Sequence, residues 1–207
     1  TGEDTLSLHD ALPIFAAWAE VFTHPALMAI VAVTALSGAG QFTLFAYFAP
    51  YYRTQLHASA GTVSLLFAWF GAFGLLGNLL LSRHVDRVGA GRAVSGLLGG
   101  IALSVLLWPL AGTPLQLMAV ILPWALGCFA SNSAQQARLA LASPALATAL
   151  ISLNSSAMYL GHFAGSASGG AMIAAAGYAG LNWVALAWML ASLGTSVWAA
   201  GRLRALQ

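Results

Sequence analysis

The sequence predicts an all-α membrane protein with six transmembrane helices, on two observations. Only 6% of the 207 residues are charged while 60% are hydrophobic, and a soluble domain carries about 25% charged residues. In addition, six apolar stretches approach or exceed the roughly 20 residues that a helix needs to cross a bilayer. The predicted spans are 26–52, 61–81, 93–110, 115–134, 145–167 and 181–200.

The arginines predict the orientation of these spans. All seven basic residues are arginines. If the chain starts on the inside, the cytoplasmic loops and the C-terminus carry all of them except Arg53: Arg83, Arg87, Arg92, Arg138, Arg202 and Arg204. This bias follows the positive-inside rule, so we expect both termini in the cytoplasm and an integral protein of a bacterial inner (plasma) membrane.

Composition also excludes several kinds of site. The arginines form no basic face in polar surroundings, so nucleic-acid binding is not indicated. The single cysteine, Cys128, excludes an internal disulfide and a cysteine-type metal site. We therefore expect neither a metal nor a cofactor, and membrane lipid is the predicted surrounding.

The first fourteen residues are not expected to belong to the natural protein. Thr5 to Ile14 reads TLSLHDALPI, which resembles one reading frame of a common sequencing adaptor, so 1–14 is predicted to be non-native. The segment 15–25 then reads as the end of a linker, and 26–207 as one six-helix unit. We expect the natural start to be missing and the chain to be a truncated piece.

A dense group of charges lies between the second and third predicted spans. The segment 81–92 reads LSRHVDRVGAGR and predicts a short charged turn. It resembles the loop motif G-x-x-x-D-R-x-G-x-[RK]-[RK] of the major facilitator superfamily, although Ser82 stands at the first glycine. The residues that carry the resemblance are Asp86, Arg87, Gly89 and Arg92.

This resemblance implies the C-terminal half of such a transporter. That half consists of two inverted three-helix repeats, and the protein works by alternating access. The implied partners are a missing N-terminal six-helix half and a small-molecule substrate. The loop would latch one half against the other, with Asp86 in charge-assisted bonds. The alternative is that its arginines only hold the topology.

Two further stretches resemble drug:proton antiporters of the arabinose-efflux-like kind. They are 152–161, followed by Gly165 and Gly169, and 130–138 at the end of the fourth span. The resemblance implies proton-coupled efflux of small amphipathic compounds or sugars. No intramembrane carboxylate is present to carry a proton, so the coupling residue is expected in the missing half or at His162.

The fifth span carries two predicted faces. Asn154, Met158 and His162 recur every four residues and share one face, which we expect to line a cavity. His162 is either a functional ionisable group or a neutral imidazole bonded to a neighbouring helix. Close helix packing is predicted for the stripe Gly161, Gly165 and Gly169.

The first and fourth spans supply the remaining cavity candidates. Gln41 and Phe45 lie at helical spacing, and an amide among aromatic rings suits a cavity for amphipathic molecules. Core packing explains the rings equally well. Asn132 lies one turn from Gln136, and the two either line the inner mouth of a pore or cap the helix end.

Two rival functions come from other classes. One is a rhomboid-like intramembrane serine protease, because Ala35-Leu36-Ser37-Gly38 loosely resembles G-x-S-G and His162 is a possible base. Such a pair has to meet within hydrogen-bond reach. The other is a six-span scaffold that transports nothing. The favoured interpretation is a transporter, not an enzyme.

Overall fold

The computed structural model describes residues 18–204, so the predictions for 1–14 and for the first three linker residues lie outside the described part. All regular secondary structure in the described residues is helical. A short helix at 18–23 comes first. The α-helices that follow are α1 Pro25–Phe45, α2 Phe48–Thr54, α3 Ala60–Val88, α4 Ala90–Leu107, α5 Pro114–Val120, α6 Leu122–Ala142, α7 Ala147–Ala176 and α8 Leu181–Arg204. Three 3₁₀ turns lie between them, at Trp108–Leu110, Pro144–Leu146 and Gly177–Gly180.

These helices supply the crossing segments of an all-α membrane protein. By length and apolarity, four helical stretches can cross a membrane, and the pair α5 and α6, bent by 43°, makes a fifth. One of the four, Pro144–Arg202, is 59 residues long and therefore far exceeds a single crossing of about 20 residues. It contains α7 and α8, which run in opposite directions, so the described part has six crossing segments.

Contacts with α1 fix the directions of α7 and α8. Going along α7, the stripe Gly161, Gly165 and Gly169 meets the backbone of Ala35, Ala39 and Thr43 in the same order, so α1 and α7 run parallel. Going along α8, Ala185 and Met189 lie beside Gly40, and the Ser192 hydroxyl donates to the carbonyl of Val33. The sequence numbers rise in one helix as they fall in the other, which makes α1 and α8 antiparallel.

The packing shows an internal two-fold pattern. The first span contacts the fifth and sixth, and the fourth span contacts the second and third. Exchanging the first three spans for the last three converts one set of contacts into the other, and the contact of α4 with α8 maps onto itself. This is the contact pattern that two three-helix repeats produce, the arrangement that the resemblance implies.

Two connections are shorter than the sequence predicts. The charged turn at 81–92 is mostly helix, because α3 continues to Val88 and α4 begins at Ala90. The change of direction is made by Gly89 alone, at φ 85°, a conformation that glycine adopts without steric cost. The connection between the fifth and sixth predicted spans, 168–180, is also shorter, because α7 continues to Ala176 and only Gly177–Gly180 separates it from α8.

The polar turn predicted around Arg138 is wrong as well. Helix α6 continues to Ala142, and Arg138 is buried, with 5% of its surface exposed. Its guanidinium donates to the hydroxyl of Ser196 at 2.9 Å and to the carbonyl of Ser196 at 3.0 Å. Arg138 therefore ties α6 to α8 and is not a loop residue that only sets orientation.

Candidate functional site

A cavity of about 790 Å³ lies between α1, α3, α6 and α7, with α4 at its edge. Small-molecule sites commonly have volumes of about 300–1,000 Å³. Its lining residues are Val33, Thr34, Ser37, Gly38, Gln41, Phe42, Phe45, Phe67, Phe70, Gly71, Val94, Leu98, Trp124, Cys128, Phe129, Ser131, Asn132, Ser133, Gln135, Met158, Tyr159 and His162.

The cavity brings together most of the residues that the sequence proposes for it. Helix α1 contributes Gln41 and Phe45, α6 contributes Asn132, and α7 contributes Met158 and His162. These residues come from three helices and both three-helix units, so only the fold makes them neighbours.

Asn154, the sixth proposed residue, does not line the cavity. It is fully buried because its amide bridges two other helices. Its oxygen accepts a hydrogen bond from the Thr34 hydroxyl of α1, and its nitrogen donates to the Asn132 oxygen of α6 at 3.1 Å. Asn154 therefore acts on the cavity through Asn132, whose side chain it orients.

A second polar chain crosses the cavity wall through Gln41. The indole N–H of Trp124 donates to the Gln41 oxygen at 3.0 Å, and the Gln41 nitrogen donates to the Ser37 hydroxyl at 3.0 Å. Trp124 is 1% exposed, and a buried indole N–H needs such a partner. The bond joins α1 of one unit to α6 of the other.

His162 makes its closest contact with an aromatic ring. Its imidazole stacks on Phe42 with ring centroids 3.6 Å apart and planes inclined by 15°. Tyr159 approaches the same imidazole edge-on at 5.9 Å. Within the described residues neither ring nitrogen is hydrogen-bonded, which differs from the neutral imidazole bonded to a neighbouring helix that the sequence allows.

The aromatic side of the cavity continues into the core. Phe45 stands 5.2 Å from Phe48 and 5.5 Å from Phe70 between ring centroids. Phe48 in turn packs edge-on against Trp124 at 5.1 Å. Phe45 therefore both lines the cavity and packs in the core, so the two alternatives given for its ring are both realised.

Trp124 and Gln135 are cavity residues that the sequence reasoning missed. The sequence favours Gln136 as the partner of Asn132, whereas Gln135 lines the cavity and is 2% exposed. Its amide donates to the carbonyl of Ile30. Helical spacing could have indicated Gln135, because it lies four residues from Ser131 and three from Asn132 and therefore shares their helix face. Trp124 carries no comparable signal.

The loop residues lie away from the cavity. Asp86 and Arg87 are exposed on the last turn of α3, Gly89 forms the turn, and Arg92 is in the first turn of α4. Asp86 makes no ion pair within the described residues. Asp86 therefore forms no charge-assisted bond with the arginines of its own loop in this part of the chain.

The protease dyad does not assemble, although Ser37 and His162 line the same cavity. The Ser37 hydroxyl is bonded to Gln41, and the His162 ring is stacked on Phe42. In the described residues no hydrogen bond joins the two, and a nucleophile needs its base within about 3 Å.

Comparison with known proteins points to membrane transport. No protein-family model matches the chain. The chain is similar to the inner membrane transport protein YdhP of Escherichia coli K12, with 28% identity over 167 residues, which is 75% of this chain. The corresponding protein of E. coli O157:H7 is 30% identical over the same length. The chain spans 40% of the length of these relatives. The similarity and the apolar helices together support an integral membrane transport protein.

Proposed function

We propose that the chain is the C-terminal six-helix half of a major facilitator superfamily transporter that exports small amphipathic compounds by alternating access. The observation that carries the proposal is the cavity of about 790 Å³, whose wall is shared by the two three-helix units. A site at the interface of repeats near the middle of the bilayer is where secondary transporters bind substrate.

A second six-helix half completes this site in our proposal. Gln41 and Asn132 expose part of their amides in the cavity, and polar groups facing lipid without partners are costly. The similarity covers 40% of the length of the transport proteins, which leaves room for such a half. We expect the 207-residue chain by itself not to transport.

The exposed Asp86 fits a latch between the halves. Its carboxylate has no ionic partner in the described residues and lies at the end of α3, where an arginine or a helix N-terminus of the other half can bind it. A residue that only set topology would be basic, because carboxylates contribute little to orientation.

Proton coupling is the most specific part of the proposal. The part of the cavity wall that the structure describes contains the imidazole of His162 and no carboxylate. The proton carrier is thus His162 or an acid of the other half. The apolar, aromatic wall favours amphipathic compounds over sugars, which need many polar partners.

The test is to sequence the source DNA upstream of the codon for Phe15 and to express the complete reading frame in an efflux-deficient bacterium. We expect six further spans upstream, and export of Nile red that a protonophore abolishes and Asp86→Asn impairs. Retention of the dye equal to that in cells with an empty vector contradicts transport. A start codon close to Phe15 contradicts the assignment as one half.

A further inference from the structure

The cavity wall combines flat apolar surfaces with no formal charge. None of its lining residues is Asp, Glu, Lys or Arg, and seven carry an aromatic ring besides His162. Aromatic rings bury large flat areas of a ligand. A protonated amine in this wall finds no carboxylate to pair with, and burying an unpaired charge is costly.

The orientation of the Gln41 amide is fixed by its neighbour. An indole nitrogen can only donate, so the group that receives the Trp124 bond must be the Gln41 oxygen. The nitrogen of Gln41 therefore points the other way. One of its hydrogens is bonded to Ser37, and the second has no partner within the described residues, on a side chain that lines the cavity.

The Asn132 amide, on a side chain that lines the cavity, also has a free nitrogen. Its oxygen accepts from the nitrogen of Asn154, and the oxygen of Asn154 accepts from Thr34. The Asn132 nitrogen is left with two hydrogens that have no partner in the part of the chain that the structure describes. These two amides are thus left with free donors. The third amide of the wall, Gln135, donates its nitrogen to the carbonyl of Ile30, and its buried oxygen has no partner in the described residues.

We propose that this cavity selects uncharged, flat aromatic compounds that carry a hydrogen-bond acceptor such as a ketone oxygen. Gln41 and Asn132 are the specificity-determining residues, because they donate to that acceptor. Trp124 and Asn154 are positioning residues, because they hold the two amides in the donating orientation. The inference rests on the proposed function only in taking this cavity as the transport site.

Three ligands of nearly the same shape test which chemical group the cavity prefers. Fluorenone carries a ketone, fluorene lacks it, and 9-(aminomethyl)fluorene carries an ammonium group. The full-length protein in lipid nanodiscs is photolabelled with benzophenone, and each compound competes at matched membrane concentrations. We expect labelling of the peptide that contains Met158, and fluorenone competing about five- to tenfold better than fluorene, the value of one hydrogen bond. The ammonium compound competes no better than fluorene.

Variants separate positioning from packing. Trp124→Phe keeps a ring but removes the N–H that orients Gln41, so the preference for fluorenone falls to below about twofold. Trp188→Phe is the matched control, because Trp188 donates to Ser168 and does not line the cavity; its preference stays as in the parent. Gln41→Glu keeps an acceptor for Trp124 and replaces the free donor by a carboxylate, so the ammonium compound gains over fluorenone.

The outcomes distinguish this inference from the proposed function. Equal competition by fluorenone and fluorene, stronger competition by the ammonium compound in the parent protein, or labelling only outside the cavity overturns the inference. Export of Nile red alongside equal competition leaves transport standing and refutes the selectivity. Selective competition without any export refutes transport and leaves the binding inference standing.

Discussion

Helix α7 faces α1 in two different ways. On one face, Gly161 and Gly165 lie directly against the backbone of α1, and a Cβ atom on either would come within 2.2 Å of a carbonyl oxygen. On the neighbouring face, Met158 and His162 line the cavity together with Ser37 and Gln41 of α1. The first face requires an absence of side chains, and the second requires particular side chains. One face of α7 therefore contributes to stability through close packing, and the adjacent face contributes side chains to the cavity.

The largest effect on stability is expected on the glycine face. In Gly165→Val the new side chain overlaps the Ala39 carbonyl, so α1 and α7 must move apart, at a cost of about 3 kcal/mol in the free energy of unfolding. Unfolding in mild detergent, followed by circular dichroism, measures it. Gly99→Ala is the matched control, because its Cβ meets nothing within 4 Å. Equal destabilisation by both changes contradicts the close packing of α1 with α7.

Asn154→Leu is expected to have the second largest effect on stability. The amide that it removes is fully buried behind the cavity wall. The change leaves the Thr34 hydroxyl and the Asn132 oxygen without their partner, and each buried group left unpaired costs about 1–3 kcal/mol. We expect a loss of stability of about 2 kcal/mol and weaker discrimination of fluorenone from fluorene. Unchanged stability and discrimination argue against the bridge from α1 through α7 to α6.

Gln41→Leu sharpens the comparison from α1, which also lines the cavity. It removes the partner of the Trp124 indole, which costs about 1 kcal/mol in the free energy of unfolding. In a Trp124→Phe background, which already lacks the indole N–H, Gln41→Leu should cost less. The difference between the two costs in the same unfolding assay isolates the bond, and equal costs contradict its assignment.

His162→Phe should have the smallest effect on stability and a large effect on function. A phenyl ring preserves the stack on Phe42, so stability should change by less than about 1 kcal/mol. If His162 carries the coupling proton, dye export by the full-length protein becomes independent of the proton gradient or stops. Full export that remains sensitive to a protonophore places the proton carrier elsewhere.

The sequence predicts the fold better than it predicts the ends of helices. Apolar length identifies each crossing segment, but helices continue past the apolar core wherever the backbone permits it. Helix α3 therefore carries Arg83, Asp86 and Arg87 on helical turns, and its end is set by Gly89. Arg138 was misplaced for the same reason, because a polar stretch predicts a loop unless a buried partner such as Ser196 is known.

The cavity is only partly predictable because its polar groups find partners across the fold. Helical spacing suffices to place Met158 and His162 on one face. It cannot show that Asn154 turns to Thr34 and Asn132, or that Trp124 orients Gln41 from a helix 83 residues away in sequence. Such partnerships follow from the contact of α1 with α6 and α7, which a pattern within one helix does not contain.

The measurement that tests the central claim most directly uses Cys128, which lines the cavity and is the one cysteine of the sequence. The full-length protein, with any cysteines outside these 207 residues replaced, is treated in cells with a charged, membrane-impermeant thiol reagent. An aqueous transport cavity predicts that Cys128 reacts and that a bound substrate protects it. Reaction with a lipid-soluble maleimide but not with the charged reagent would show a cavity that faces lipid, and would contradict the transport account.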